Sequence, residues 1–265
     1  MIRHCSQSDK QSIVSYIGSE YYKCLYLYLD LEKYGFDQDE VDVYVQTAGE
    51  KISSVLLKYY SCLHVYSKDD SFDAKELAAF IDGNSFKLIY CAASTAEHIY
   101  ANMSQIVKDS ASKTTGWVAQ IEKTDKKSEG LATEAASEDF AQIASLILGD
   151  EDISRSYKSD ELERQLLERS REGYARNYVI KQDGLVIAHA CTNAELGNIA
   201  VVAELLVRSE YRRRGLASEI WRYICETLLA EGKEVYSFYY SEESRALHRK
   251  IGFREVCEWC KIVFN

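Results

Sequence analysis

Proline is absent from all 265 residues, although it makes up about 5% of average sequence. Turns must therefore be built from glycine, aspartate, asparagine and serine. Long apolar runs are missing too. No stretch approaches the roughly 18 apolar residues of a membrane-spanning helix, and the N-terminus has no signal-like apolar segment. Positive charge is the minority sign: 32 Lys and Arg against 42 Asp and Glu give a net charge of −10. A nucleic-acid binder needs a basic face, so that class is disfavoured, whereas a cationic substrate is compatible with the acidic balance. The expectation is a cytoplasmic protein with no membrane or nucleic-acid partner.

Several kinds of active site also find no signal. No Ser-His-Asp constellation and no glycine-rich loop ending in Lys-Ser/Thr is visible, which leaves hydrolase and NTPase readings unsupported. Eight cysteines stand at 5, 24, 62, 91, 191, 225, 257 and 260. Most sit inside apolar patterns and read as reduced core thiols. Cys257 and Cys260 form one C-x-x-C without a second pair, in a segment with strand character, so no metal site is expected.

What is present is an ordinary globular composition, 46% hydrophobic and 28% charged, long enough for one large domain or two small ones. Apolar spacing over 8–33 reads as helix, stopped near Gly35. Val41 to Val45 and Ile52 to Tyr60 read as a hairpin around Ala48-Gly49-Glu50, followed by a strand at Cys62–Tyr66. Helix 73–82, strand Phe86–Cys91, helix 96–107 and strand Trp117–Ile121 complete a first half. Residues 124–136 are polar and read as a linker.

The second half repeats the plan. A helix carries Phe140, Ile143, Ala144 and Ile147. Ser159-Asp160-Glu161-Leu162 opens another. Tyr178-Val179-Ile180 enters a hairpin at Gln182-Asp183-Gly184. Strand Ile199–Val207 follows, then a helix striped by Leu216, Ile220, Ile224 and Leu228, strand Val235–Tyr240, a short helix from Ser244 to Lys250, and closing strand material to Phe264. Val45–Ile52 and Ile180–Ile187 share one hairpin outline, which suggests an internal duplication. The division expected is 1–123, a linker at 124–136, and 137–265.

One stretch carries the chemistry. Glu204-Leu205-Leu206-Val207 runs as a strand into Arg208-Ser209-Glu210-Tyr211-Arg212-Arg213-Arg214-Gly215-Leu216-Ala217-Ser218, and a helix follows at once. A helix N-terminus offers free N–H groups and a positive dipole end, the arginines add charge, and Gly215 permits close backbone approach. That combination suits a diphosphate.

The order of strand, R-x-x-G-x-A and helix resembles the acetyl-CoA-binding motif of the GCN5-related N-acetyltransferase (GNAT) superfamily. A second segment, Ser241-x-x-Ser244-x-x-Leu247-His248-x-Lys250-Ile251-Gly252-Phe253, resembles the family's N-x-x-A/S-x-x-L-Y-x-K-x-G-F. Ser241 stands where an Asn often contacts the cofactor, and His248 where a Tyr commonly protonates the leaving thiolate. The resemblance covers 137–265 well and 1–123 by outline only. It implies an α/β (α+β) fold, a mixed, mostly antiparallel sheet flanked by helices, in two GNAT-like domains in tandem. The first copy is degenerate: Lys68-Asp69-Asp70-Ser71-Phe72-Asp73 stands where a phosphate turn belongs.

The resemblance further implies an enzyme that moves acetyl from acetyl-CoA to a primary amine, small-molecule or peptide, by direct attack in a ternary complex. The turn residues Arg212, Arg213, Arg214, Gly215, Leu216, Ala217 and Ser218 would hold the diphosphate, with Ser241 and Ser244 nearby. The edge of the strand at Leu205, Leu206 and Val207 would bind the pantetheine arm. Glu204 is the candidate base, lying in an otherwise apolar strand, and His248 the candidate acid near neutral pH. His189, Tyr239 and Tyr240 are alternatives. A non-catalytic acyl-CoA-binding regulatory module of the same fold is the competing reading. A transferase using aminoacyl-tRNA conflicts with the acidic balance.

Overall fold

The computed structural model describes residues 1–36, 38–150 and 161–264. The chain divides into two compact units: unit 1 is Met1–Val118 with Glu255–Asn265, and unit 2 is Ala119–Arg254. No described helix is long and apolar enough to cross a membrane.

Unit 1 opens with β1 (Ile2–His4), α1 (Lys10–Ile17) and α2 (Leu25–Tyr34). Gly35 ends α2 at φ +68°, in the left-handed region that favours glycine. The meander β2 (Val41–Ala48), β3 (Lys51–Tyr59) and β4 (Cys62–Tyr66) is antiparallel. Helix α3 (Ala74–Asp82) then crosses to β5 (Leu88–Ala92), which lies parallel to β4. The helical stretch expected over 96–107 is two pieces, α4 (Ala93–Asn102) and α5 (Gln105–Asp109), because Met103 takes an extended backbone between them. Strand β6 (Ala111–Ile121) follows and begins earlier than its apolar residues suggest.

Unit 2 repeats this order. It runs β7 (Thr133–Glu134), α6 (Phe140–Leu148), α7 (Leu162–Arg171), β8 (Asn177–Gln182), β9 (Leu185–Leu196), β10 (Ile199–Val207), α8 (Leu216–Ala230), β11 (Glu234–Tyr239) and α9 (Glu242–Ile251). Ser159 and Asp160, expected to open α7, lie outside the described residues. The β8–β9 loop is Asp183-Gly184, both with positive φ (+51° and +78°). This is the two-residue turn whose twist matches the flanking strands. Strands β8, β9 and β10 are antiparallel, and β10 runs parallel to β11, as β4 does to β5. The architecture is a mixed, mostly antiparallel sheet flanked by helices, as expected.

The final strand, β12 (Arg254–Phe264), lies almost wholly in unit 1. The expected division kept 137–265 together. The observed packing instead pairs β12 antiparallel with β5, from Trp259↔Ala92 to Val263↔Leu88. Cys260 and Ile262 join Leu56, Leu63, Ile89 and Cys91 in one apolar core. Within unit 1 the sheet order is β1-β2-β3-β4-β5-β12-β6, and within unit 2 it is β11-β10-β9-β8-β7. The sequence pattern marks a strand here but holds nothing about which sheet receives it.

The polar stretch 124–136 is not a loose connector. Its carboxylate Asp125 forms a bidentate pair with Arg222 of α8, at 2.7 and 2.9 Å. Glu226 accepts hydrogen bonds from Thr124 and from the backbone of Ser128, and Glu219 from the backbone of Glu129. The polar side chains that suggested a linker are those that fix it to the helix. Gly252, in the second motif, is required sterically: a Cβ there would stand 2.4 Å from the Lys123 carbonyl oxygen, at φ +125°.

Ile262 is fully buried in the unit 1 core. Ile262→Ala is expected to destabilise that unit by about 2–5 kcal/mol, the usual cost of a truncated core isoleucine. Urea unfolding followed by hydrogen exchange checks this: protection should fall in β4 and β5. Unchanged stability would mean that β12 is not part of that core.

Candidate acyl-CoA site

The site begins where two parallel strands stop pairing. β10 and β11 are in register from Ile199↔Glu234 to Val202↔Ser237 and no further. Beyond that point β10 bulges. Its register with β9 jumps between Ala203 and Leu206, and Glu204 sits at φ +55°. Positive φ at a non-glycine residue costs on the order of 1–3 kcal/mol and persists only where surroundings impose it. A bulge re-aims side chains and backbone alike. Beyond the last pair, a cavity of about 720 Å³ is lined by Ala203 to Val207 on one side and by Ser237 and Phe238 on the other.

One end of this cavity is the α8 N-terminus. Gly215 is its N-cap, at φ +82°, and no side chain among the described residues caps the helix. Arg213 is also left-handed, at φ +62°. The first-turn N–H groups and the dipole of a 15-residue helix therefore face the cavity without an internal acceptor. Arg212 and Arg213 line it; Arg214 does not. Arg214 instead lies over the Tyr211 ring, 5.0 Å from its centroid, and donates to the Glu210 carbonyl. Arg208 is structural as well, donating from Nε to the Val186 carbonyl at 2.6 Å. Of the other residues expected to bind a cofactor, Leu205, Leu206, Val207, Gly215, Leu216, Ala217, Ser218, Ser241 and Ser244 all reach the cavity.

The corresponding place in unit 1 is built differently. There α3 follows β4, and Asp73 caps the helix with its own carboxylate, accepting from Lys75 N and Glu76 N at 3.0 Å each. The N–H groups that could hold a phosphate are already bonded to an anion. The acidic stretch noted in the sequence thus supplies the cap of this helix itself.

Glu204 borders the same cavity, and its carboxylate accepts from the Cys191 thiol at 3.6 Å. His248, expected as a proton donor near neutral pH, reaches the cavity but is not poised for that role. Its ring is buried on α9. Nδ1 lies 2.7 Å from the Ser244 carbonyl oxygen, so it must carry the proton, and Nε2 lies 2.8 Å from Ser237 Oγ, from which it accepts. Burial pulls its pKa down to about 4. Near pH 7 the ring is neutral and its single N–H is committed to a carbonyl. His189 is fully buried, bonded to Asn177, and pulled down by burial to about 3. It does not line this cavity, and neither do Tyr239 and Tyr240.

Two contributors were not singled out from the sequence. Trp221 is 1% exposed, lines the cavity, and its indole N–H has no hydrogen-bond partner among the described residues. Ser237 lies in a strand otherwise rich in aromatics. The available signals were weak. Trp221 stands one turn after Ala217 beside the expected apolar stripe, and Ser237 is one small polar residue in an apolar run. All described cysteine thiols are free. Burial raises Cys257 to about 11 and Cys62 to about 12, so neither is an activated thiolate.

A parallel pair splayed beside a bulge, with an uncapped helix start at the mouth, defines the N-acetyltransferase fold. Solved structures of that fold match over essentially the whole chain. An acetyltransferase from the GNAT family of Colwellia psychrerythraea matches with a TM-score of 0.65 at 9% identity, covering 100% of both chains. A GCN5-related N-acetyltransferase from Sphaerobacter thermophilus reaches 0.66 at 13% identity, covering 99% of this chain and 94% of that one. A tandem GNAT protein from the clavulanic acid biosynthesis pathway reaches 0.59 at 10% identity, covering 100% and 98%. At these identities the likeness establishes fold. No curated protein matches. Residues 140–253 match the sequence model of the Acetyltransferase (GNAT) family. The chain carries a GNAT-family domain over those residues, and the first unit follows the same order of elements.

The buried histidines set a pH dependence of stability. His64, His189 and His248 fold with depressed pKa values of about 4, about 3 and about 4, against about 6.5 in an unfolded chain. The unfolded state therefore binds protons first. Stability is fully present above about pH 6.5 and is lost as pH falls towards 4. The urea midpoint at pH 5 should lie below that at pH 7.5, and His248→Gln should flatten the difference. A midpoint independent of pH would show that these rings are not held neutral.

Proposed function

We propose that this protein is an acetyl-CoA-dependent N-acetyltransferase that moves the acetyl group to a primary amine by direct attack in a ternary complex. The observation that carries this reading is the single cavity joining the uncapped N-terminus of α8 to the Glu204 bulge. The α8 N–H groups with Arg212 and Arg213 suit the diphosphate, and the edge of β10 at Leu205 and Val207 suits the amide-rich pantetheine arm. The thioester then falls near the vertex where β10 and β11 part, beside Glu204.

Glu204 takes the proton that the attacking amine must lose and offers a negative charge to a cationic acceptor. The departing thiol, with a pKa near 8.5, is a fair leaving group and does not require a strong acid. This agrees with a neutral His248 whose N–H is already used. The net charge of −10 suits a cationic acceptor. The first unit, with its helix start closed by Asp73, takes no part in cofactor binding.

Two outcomes follow. Acetyl-CoA at about 100 times its Kd should stabilise the protein by ~2.7 kcal/mol, seen as a raised melting temperature. Gly215→Glu should remove that shift, because it forces a side chain into left-handed φ at a cost of roughly 1–2 kcal/mol and aims a carboxylate at the diphosphate. Full CoA affinity in this variant would overturn the placement. With an amine library and detection of released thiol, Glu204→Gln should lower kcat by roughly 10²–10⁴-fold while leaving CoA affinity intact. An unaffected kcat would remove Glu204 as the base. Binding without thiol release under every acceptor would make the protein a CoA-binding module.

A further inference from the structure

At the vertex of the cavity three groups stand in line. Ser237 Oγ lies 2.8 Å from Nε2 of His248, and Nδ1 of His248 lies 2.7 Å from the carbonyl oxygen of Ser244. The proton on Nδ1 belongs to that carbonyl, so Nε2 presents its lone pair to the serine hydroxyl. This is the relation of nucleophile, base and orienting acceptor found in serine acyl transfer, with a backbone carbonyl in the third position. All three residues line the cavity, and Ser237 occupies the last paired position of β11. Trp221, whose indole N–H has no hydrogen-bond partner among the described residues, packs edge-on against the His248 ring at 5.5 Å between centroids.

We infer that Ser237, with His248 as its base, gives the protein a second activity: slow hydrolysis of acyl-CoA thioesters through an acyl-serine when no amine is bound. The inference rests on the acyl-CoA reading of the cavity. Ser237 Oγ bonds to the thioester carbonyl carbon while its proton passes to Nε2 of His248. The C–S bond breaks, and the proton on Nε2 goes to the departing sulfur, leaving the acyl group as an ester on Ser237. A water molecule then attacks that ester, giving its proton to Nε2. The C–Oγ bond breaks, Oγ recovers the proton, and the carboxylic acid leaves. His248 starts and ends neutral. The Ser244 carbonyl stabilises a transient imidazolium less than a carboxylate does, so this route is slow beside transfer to an amine.

The test uses the full-length protein with acetyl-CoA and no amine. Thermal stability reports binding, released thiol reports cleavage, and mass spectrometry after acid quench reports the acyl-enzyme. A melting shift is expected in the wild type, together with slow thiol release and an added acetyl group on the peptide containing Ser237. Ser237→Ala should lose the adduct and lower the amine-free release by roughly 10²-fold or more. Ser237→Cys should restore an adduct as a thioester. A melting shift without an adduct, or release that Ser237→Ala leaves unchanged, overturns the hydrolytic route alone. No melting shift in the wild type overturns the acyl-CoA reading and this route with it.

Discussion

The site depends on one constraint: two parallel strands that stop being neighbours at Val202 and Ser237. A paired sheet has no interior space, because strands lie about 4.8 Å apart and their backbone groups satisfy one another. By bulging at Glu204, β10 leaves its edge available beyond Val202. Its backbone can then bond to something other than protein. The left-handed turn of Glu204 costs stability, and the buried packing of β9, β10 and α8 around it sustains that cost. The cavity, the placement of Glu204 and the position of Ser237 at the vertex all descend from this one irregularity.

The two halves differ in how the same plan caps its helix start. Both have a hairpin, a parallel strand pair and a helix that follows the first strand of that pair. In unit 2 the helix starts at Gly215, which has no side chain to cap it. In unit 1 it starts at Asp73, whose carboxylate takes two of the backbone donors. An intramolecular carboxylate is always present and loses no translational freedom on binding, so it outcompetes any dissolved phosphate. The same order of elements thus carries a helix start closed by its own carboxylate in one unit and one without a side-chain cap among the described residues in the other.

His248 shows how burial changes the meaning of a residue type. A histidine in a cofactor motif suggests a group that exchanges protons near neutral pH. Buried beneath Trp221, Tyr239 and Phe253, with Nδ1 tied to Ser244 and Nε2 facing Ser237, it is held neutral instead. Desolvation penalises the charged ring more than its hydrogen bonds favour it. The resting ring therefore has no proton on Nε2 to give, yet its lone pair is suited to accept one from the neighbouring hydroxyl and pass it on.

The sequence alone determined the element order, the hairpin at Asp183-Gly184, the repeated outline and the turn from Arg212 to Ser218. Those features rest on local physics: periodicity of apolar residues, turn chemistry and helix ends. It did not determine that Glu255 to Phe264 completes the unit 1 core, because a strand's partner is set by long-range packing and leaves no local mark. Nor could it separate a linker from a docked segment, since Asp125 and Ser128 look equally polar in either state. The Arg214 side chain, which turns away onto Tyr211, looked the same as Arg212 and Arg213 until the turn had a shape. Trp221 and Ser237 became candidates only when tertiary structure buried one donor without an acceptor and set one hydroxyl against a ring nitrogen. Local order is written in spacing; the chemistry of a side chain is decided by what folding places against it.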